Sequence, residues 1–160
     1  MTERTELYAT YPSLGGRSVF ITGGGSGIGE SLVRHFCKQG SRVAFVDIAE
    51  QASREVVASI EAAGGDAPLF IACDVRDVAA LQAAISEASR HNGAIEVLWN
   101  NAGNDDRHQT GAVDLAYWDD RMAVNLRHQF FAAQAVVDSM KSSGRGSIIN
   151  FGSITWMVGD

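Results

Sequence analysis

The sequence is poor in the residues that would take it out of the ordinary globular classes. Two prolines and two cysteines in 160 residues exclude a proline-rich tail and a dense disulfide scaffold. Cys37 and Cys73 match no metal-ligand spacing and read as small core hydrophobes. The histidines at 35, 91, 108 and 128 are scattered and form no metalloprotease pair. Basic charge is scarce as well. Thirteen Lys and Arg against 19 Asp and Glu give a net charge of −6, with no basic stripe, so neither nucleic acid nor an anionic membrane surface is an expected partner. No apolar run approaches the ~18 residues of a membrane span. Residues Met1–Ala9 have no secretory core, and the sequence has no N-glycosylation acceptor. A soluble cytoplasmic protein is the expectation.

Glycine, in contrast, is abundant. There are 17 in the chain, above the ~7% average, and they have no collagen-like period. Hydrophobic residues at 46% and charged residues at 20% are enough for a real core. The glycines must therefore stand where the backbone needs them.

Short apolar runs at Ser18–Thr22, Arg42–Val46, Pro68–Cys73, Ile95–Asn100 and Gly146–Phe151 read as strands buried on both faces. Between them lie segments with helical spacing. The first is marked by Ile28, Leu32, Val33, Phe36 and Cys37 and ends at Gly40. Two more run over about Gln51–Ala63 and Val78–His91. The longest starts after an N-capping Asp114, with Leu115, Trp118, Met122, Leu126, Phe130, Ala133, Val137 and Met140 at about the 3.6-residue period. Alternation of this kind predicts an α/β fold: a Rossmann-like, doubly wound parallel sheet with helices on both faces. Residues 1–15, with Pro12, form a lead-in. Residues 16–160 are expected to form one domain, without linker or repeat.

The first strand runs straight into Thr22-Gly-Gly-Gly-Ser-Gly-Ile-Gly29, and a helix follows. In that context bare backbone N–H groups and a helix N-terminus face an anion. A G-x-G-x-x-G spacing does not fit, because Glu30 occupies the third slot. A triphosphate loop does not fit either, because Glu30 stands where its lysine belongs. The pattern that fits is T-G-x-x-x-G-x-G on Gly23, Gly27 and Gly29. Asp47 closes the second strand about 20 residues past Gly27. A carboxylate there can bond ribose hydroxyls and repel a 2′-phosphate. With no Arg or Lys in the loop, this favours NAD over NADP. A plain helix-capping aspartate would occupy the same position.

These residues, with Cys73-Asp74-Val75, Asn100-Asn101-Ala102-Gly103, Val124-Asn125-Leu126 and Ile148-Ile149-Asn150-Phe151-Gly152-Ser153, resemble the short-chain dehydrogenases/reductases through nearly the whole chain and in order. The resemblance implies a cofactor site made of Gly23, Ser26, Gly27, Ile28, Gly29, Asp47, Ile48, Asp74, Val75, Asn101, Ala102 and Gly103. Asp74 and Val75 would hold the adenine. It also implies catalytic roles: Asn125 interrupting the long helix to anchor a water, and Ser153 binding the substrate oxygen. Read without the family, Asp74 caps a helix, Asn101 is a turn residue, Asn125 faces solvent and Ser153 is a loop serine.

The stretches Asn101–His108, Tyr117–Arg121, Asn125–His128 and Asn150–Ile154, with Trp156, are similar to the family's bacterial NAD-dependent aldose dehydrogenases. That similarity implies oxidation of a sugar such as D-xylose at C1 to the lactone. Asn104, Asp105 and Trp156 would meet the sugar, through polar pairs to hydroxyls and a flat apolar face; a solvated charged loop and a core tryptophan are the alternatives. A homotetramer with the long helix at one interface is also implied. The family's catalytic Tyr-x-x-x-Lys follows the serine, and residues 154–160 contain neither. The 160 residues are therefore expected to be the N-terminal portion of an enzyme, able to bind NAD without turnover. Two other functions stay open: a 3-oxoacyl thioester reductase, against which Asp47 argues, and a non-catalytic dinucleotide-binding module.

Overall fold

The apolar runs become five strands: the first keeps its bounds, the second gains Asp47, and the last three are shorter than their runs. The computed structural model describes residues 9–153. Its elements are β1 (Ser18–Thr22), α1 (Gly27–Lys38), β2 (Arg42–Asp47), α2 (Glu50–Ala62), β3 (Leu69–Ala72), α3 (Val78–Asn92), β4 (Val97–Asn100), α4 (Leu115–Met122), a π-helical turn (Ala123–Arg127), α5 (His128–Ser143) and β5 (Ser147–Asn150). The sheet order is β3-β2-β1-β4-β5, and every pair is parallel. Chain direction across the sheet reverses between β1 and β4. In open α/β sheets, ligands bind at the carboxyl end of that switch point.

Successive side chains of a strand point to opposite faces, so the inner strands feed two cores. Phe20, Ala44, Val46 and Leu98 pack with Leu81, Ile85, Ala132 and Val136 beneath α3 and α5. Val19, Ile21, Val43 and Phe45 pack with Val33, Phe36, Val56 and Ile60 beneath α1 and α2. Each large side chain so buried contributes roughly 1.5–3 kcal/mol, an upper bound set by the extended-chain reference. Burial on both faces holds for all of β1 and for Val43–Val46. It fails for β3 and β5, whose residues are half-buried or exposed, because these strands form the two edges of the sheet.

Helix ends follow the sequence signals. Gly40, Gly64, Gly93 and Gly144 have φ between 66° and 84°, the left-handed cap that costs glycine little. Asp77 accepts from Ala80 N–H and Asp114 from Tyr117 N–H. Within the lead-in, Pro12–Leu14 make a 3-10 turn. It is pinned to the end of α1 by Tyr11 N–H donating to Gln39 and by Ser41 donating to the Leu14 carbonyl, both at 2.8 Å.

The long helix departs from the sequence reading. It is split by the π turn, and its periodic apolar stripe does not face the sheet over its first half. Leu115, Trp118, Met122, Leu126 and Phe130 are 38–73% exposed. The buried side is made by Ala123, His128, Ala132, Val136 and Met140. The π turn inserts one extra residue, and after it the packing face runs through His128, Ala132, Val136 and Met140 while Leu126 and Phe130 stay exposed.

Candidate functional site

Two loops leave the sheet at the switch point: the glycine loop after β1 and residues 101–103 after β4. Four hydrogen bonds lock them together. Asn101 Nδ2 donates to the carbonyls of Thr22 and Gly23, at 3.2 and 2.9 Å. Thr22 Oγ1 accepts from the backbone N–H groups of Asn101 and Ala102, at 3.1 and 3.0 Å. Asn101 is thus a brace between strands rather than a free turn residue.

A cleft of about 510 Å³ opens above them. One wall is the glycine loop with the first turn of α1: Gly23, Ser26, Gly27, Ile28 and Gly29. Gly29 permits this geometry, because a Cβ there would collide with the Gly23 carbonyl oxygen; only a bare backbone lets α1 start so close to β1. Gly27 has φ +56°, and a Cβ there would meet nothing within 4 Å, so it borders open space. Ser26 precedes α1 and makes no side-chain cap bond. The first-turn N–H groups of a helix have no intrahelical acceptor. Uncapped here and facing the cleft, they suit a phosphate.

A second wall comes from the ends of β2 and β3: Asp47, Ile48, Asp74 and Val75. Asp47 Oδ2 accepts from Gly25 N–H at 2.8 Å and Oδ1 from Ala49 N–H at 2.9 Å, which fixes the carboxylate at the rim. Ile48 is 70% exposed, an apolar side chain on the cleft wall. Ala102, Gly103, Asn104 and Asp105 complete the cleft. These residues match the fit a dinucleotide requires: uncapped N–H donors for phosphate, a fixed carboxylate for ribose, and apolar side chains for adenine.

The sequence reading missed four residues of this cleft: Cys73, Arg76, Asp120 and Val124. Arg76 matters most, since a cation here bears on the choice between NAD and NADP. Its guanidinium is forked between Asp74 and Asp120, with contacts of 2.6 Å to each, so its charge is already answered. The Arg76 hydrogen bond holds the Asp74 carboxyl below its usual range. Arg76 lies two residues past Asp74 and could have been noticed. Asp120 is 44 residues further on, with nothing in the sequence to pair them. Asp74 does not cap α3; Asp77 does.

Neither Asn125 nor Ser153 lines this cleft. Asn125 sits in the π turn and does not face solvent unpaired. Its Oδ1 accepts from Asn104 N–H at 2.8 Å, and its Nδ2 donates to the Asn104 carbonyl at 2.9 Å. It borders a second, adjoining cleft of about 550 Å³ together with Asn104, His108, Tyr117 and Arg121. There the His108 and Tyr117 rings lie 4.1 Å apart and Arg121 sits 5.0 Å over the Tyr117 ring. Ser153 is exposed beyond the end of β5. Trp156 lies outside the described residues. Among those described, no cluster of three or more metal-ligating side chains occurs, and no helix is long and apolar enough to cross a membrane. Both cysteines are free, Cys73 buried and Cys37 half-buried. Burial, with nearby carboxylates, pushes both thiols up to about 11.

Comparison with known proteins agrees with this geometry. The family model described as short chain dehydrogenase matches residues 17–159. A D-xylose 1-dehydrogenase of Caulobacter vibrioides is 49% identical over 151 residues, 94% of this chain and 59% of that protein. A probable galactose dehydrogenase of Rhizobium meliloti is 49% identical over 148 residues, 92% of this chain and 58% of that protein. Among solved structures, a putative short-chain alcohol dehydrogenase from Sinorhizobium meliloti 1021 superposes with a TM-score of 0.84 at 34% identity, over 91% of this chain and 57% of that one. The chain therefore spans a little under three fifths of the length of the relatives it matches.

Proposed function

Given that the chain belongs to the short-chain dehydrogenase family, we propose that it carries the cofactor half of an NAD-dependent oxidoreductase that oxidises an aldose, such as D-xylose, at C1 to the lactone. The observation that carries the cofactor choice is Asp47. Its carboxylate is fixed by two backbone N–H groups at the ribose end of the cleft, and the one guanidinium lining the cleft among the described residues, that of Arg76, is committed to Asp74 and Asp120. A 2′-phosphate would meet negative charge with no free cation to offset it.

A bound nicotinamide would supply the hydride acceptor. This chain's own residues bind and orient. The α1 N-terminus would hold the pyrophosphate, Asp47 the ribose, and Ile48 and Val75 the adenine. Ala102 and Gly103 form the floor. Asn125 fixes the Asn104 backbone, which borders both clefts. Asn104 and Asp105 offer an amide and a carboxylate to sugar hydroxyls, and Ser153 one hydroxyl to the substrate oxygen. The sugar reading draws support from the two aldose-oxidising relatives. A cytoplasmic homotetramer belongs to the same proposal, supported by the exposed stripe from Leu115 to Phe130.

The test is NADH formation by the complete polypeptide against a panel of free sugars, with NAD and NADP compared. Activity with an aldose and NAD is expected. Activity with NADP alone, or with no sugar, would overturn the proposal.

A further inference from the structure

His128 is fully buried, the one ionisable residue among the buried polar side chains described, and nothing above uses its ring. Its Nε2 lies 3.4 Å from Thr22 Oγ1. A threonine hydroxyl has one proton to give and two lone pairs to receive. Both lone pairs are taken, by Asn101 N–H and Ala102 N–H, and backbone N–H groups can only donate. The hydroxyl proton must therefore point elsewhere, and the ring nitrogen is the polar atom there. An Nε2–H would set donor against a saturated oxygen. The ring thus has to present a lone pair at Nε2 and carry its proton on Nδ1. Burial disfavours a second proton. The Val124 carbonyl approaches the ring and favours a proton on it, although Nδ1 reaches no partner in full hydrogen-bond geometry.

The location gives this arrangement a purpose. His128 follows the π turn directly, three residues after Asn125, and its own N–H reaches back five residues to the Ala123 carbonyl. One ring therefore joins the turn that carries Asn125 to the end of β1 and, through Thr22, to the Asn101–Ala102 floor of the cleft. We propose that His128 is a positioning residue: a neutral imidazole of fixed tautomer whose Nε2 lone pair orients the Thr22 hydroxyl, so that this hydroxyl holds the Asn101–Ala102 turn in the shape that receives the dinucleotide. Only the last clause rests on the cofactor reading.

Two measurements test it. In the intact protein with 15N-labelled histidine, the His128 resonance, assigned by its loss in His128→Gln, should show Nε2 as an unprotonated acceptor and stay so at pH 6.5. An Nε2–H tautomer, or a protonated ring at that pH, would overturn the proposal whatever the leucine variant does to folding. The second is a double-mutant cycle read by amide hydrogen exchange at Asn101 and Ala102 and by NAD titration. His128→Leu should speed exchange and weaken binding by about tenfold, the scale of one hydrogen bond. His128→Gln, whose amide oxygen falls near the Nε2 position, should restore most of both. In a Thr22→Val background His128→Leu should add little. An equal loss in both backgrounds would make the ring a packing element only and defeat the proposal. Faster exchange with unchanged NAD binding would leave the Thr22 linkage standing and remove its role toward the dinucleotide.

Discussion

Asp47 spends each carboxylate oxygen on a backbone N–H, one in the glycine loop and one leading into α2, and each oxygen keeps a further lone pair. The residue therefore shapes the loop and charges the rim at once, and substitution should separate the two effects. Asp47→Asn keeps the size and one acceptor but loses the charge. Charge-assisted hydrogen bonds are worth about 1.5–3 kcal/mol. The expected outcome is NAD binding weakened by about tenfold or more, with NADP weakened much less, so that the ratio of the two affinities falls. Titration of both cofactors checks this. An unchanged ratio would mean that the discrimination is made elsewhere, with Arg76 the next residue to examine. That residue shows where sequence reading stops. Gly23, Gly27, Gly29 and Asp47, which line one cleft, could be grouped from the sequence because a glycine turn and the acid closing the next strand keep a fixed distance along the chain. The Arg76–Asp120 pair could not, because it closes across two loops whose approach depends on the fold.

At the scale of elements, the same contrast appears in the long helix. The strands and α1 to α3 follow from apolar runs and glycine caps, since their burial is local and periodic. From α4 into α5 the period predicts a buried stripe and the structure leaves it exposed. Leu115, Trp118, Met122, Leu126 and Phe130 repeat as a core stripe would, yet they are exposed. A 3.6 period reports that one face is apolar and is silent on what covers it. The π turn could not be read from periodicity at all; Asn125 was its one sign, a poor helix former in mid-helix. The structure explains its presence there, since both amide arms hold Asn104. A π bulge of this sort frequently marks a functional site. Asn125→Ala should free the Asn104 amide, with exchange there faster by about tenfold, while α3 exchange stays as in the parent protein. Asn125→Asp, which keeps the acceptor for Asn104 N–H and loses the donor, should fall between. No change at Asn104 would mean that the loop is held by Tyr117 and Asp106 instead, through the hydroxyl–carbonyl bond of 2.6 Å.

For the whole molecule, the two cores on either side of one sheet bury ionisable groups that set opposite limits on pH. His128 lies on the α5 side, where desolvation lowers its pKa from 6.5. The unfolded chain takes up a proton near 6.5 and the folded chain does not, so stability is fully present above that value and is lost as pH falls below it. Cys37, on α1, and Cys73, just past β3, are raised from 9.0 to about 11. The unfolded thiols ionise near 9 and the folded ones resist, so stability is lost as pH rises from 9 towards 11. Denaturant melts across pH should therefore give a plateau between about 6.5 and 9 with a falling limb on each side. Other groups contribute to both limbs, so the diagnostic is the difference between variants. His128→Gln should flatten the acid limb and leave the alkaline one, and the Cys37→Ala/Cys73→Ala pair should do the reverse. If His128→Gln lowers stability equally at pH 5 and pH 8, the ring does not titrate as burial requires, and the fixed neutral imidazole fails along with it.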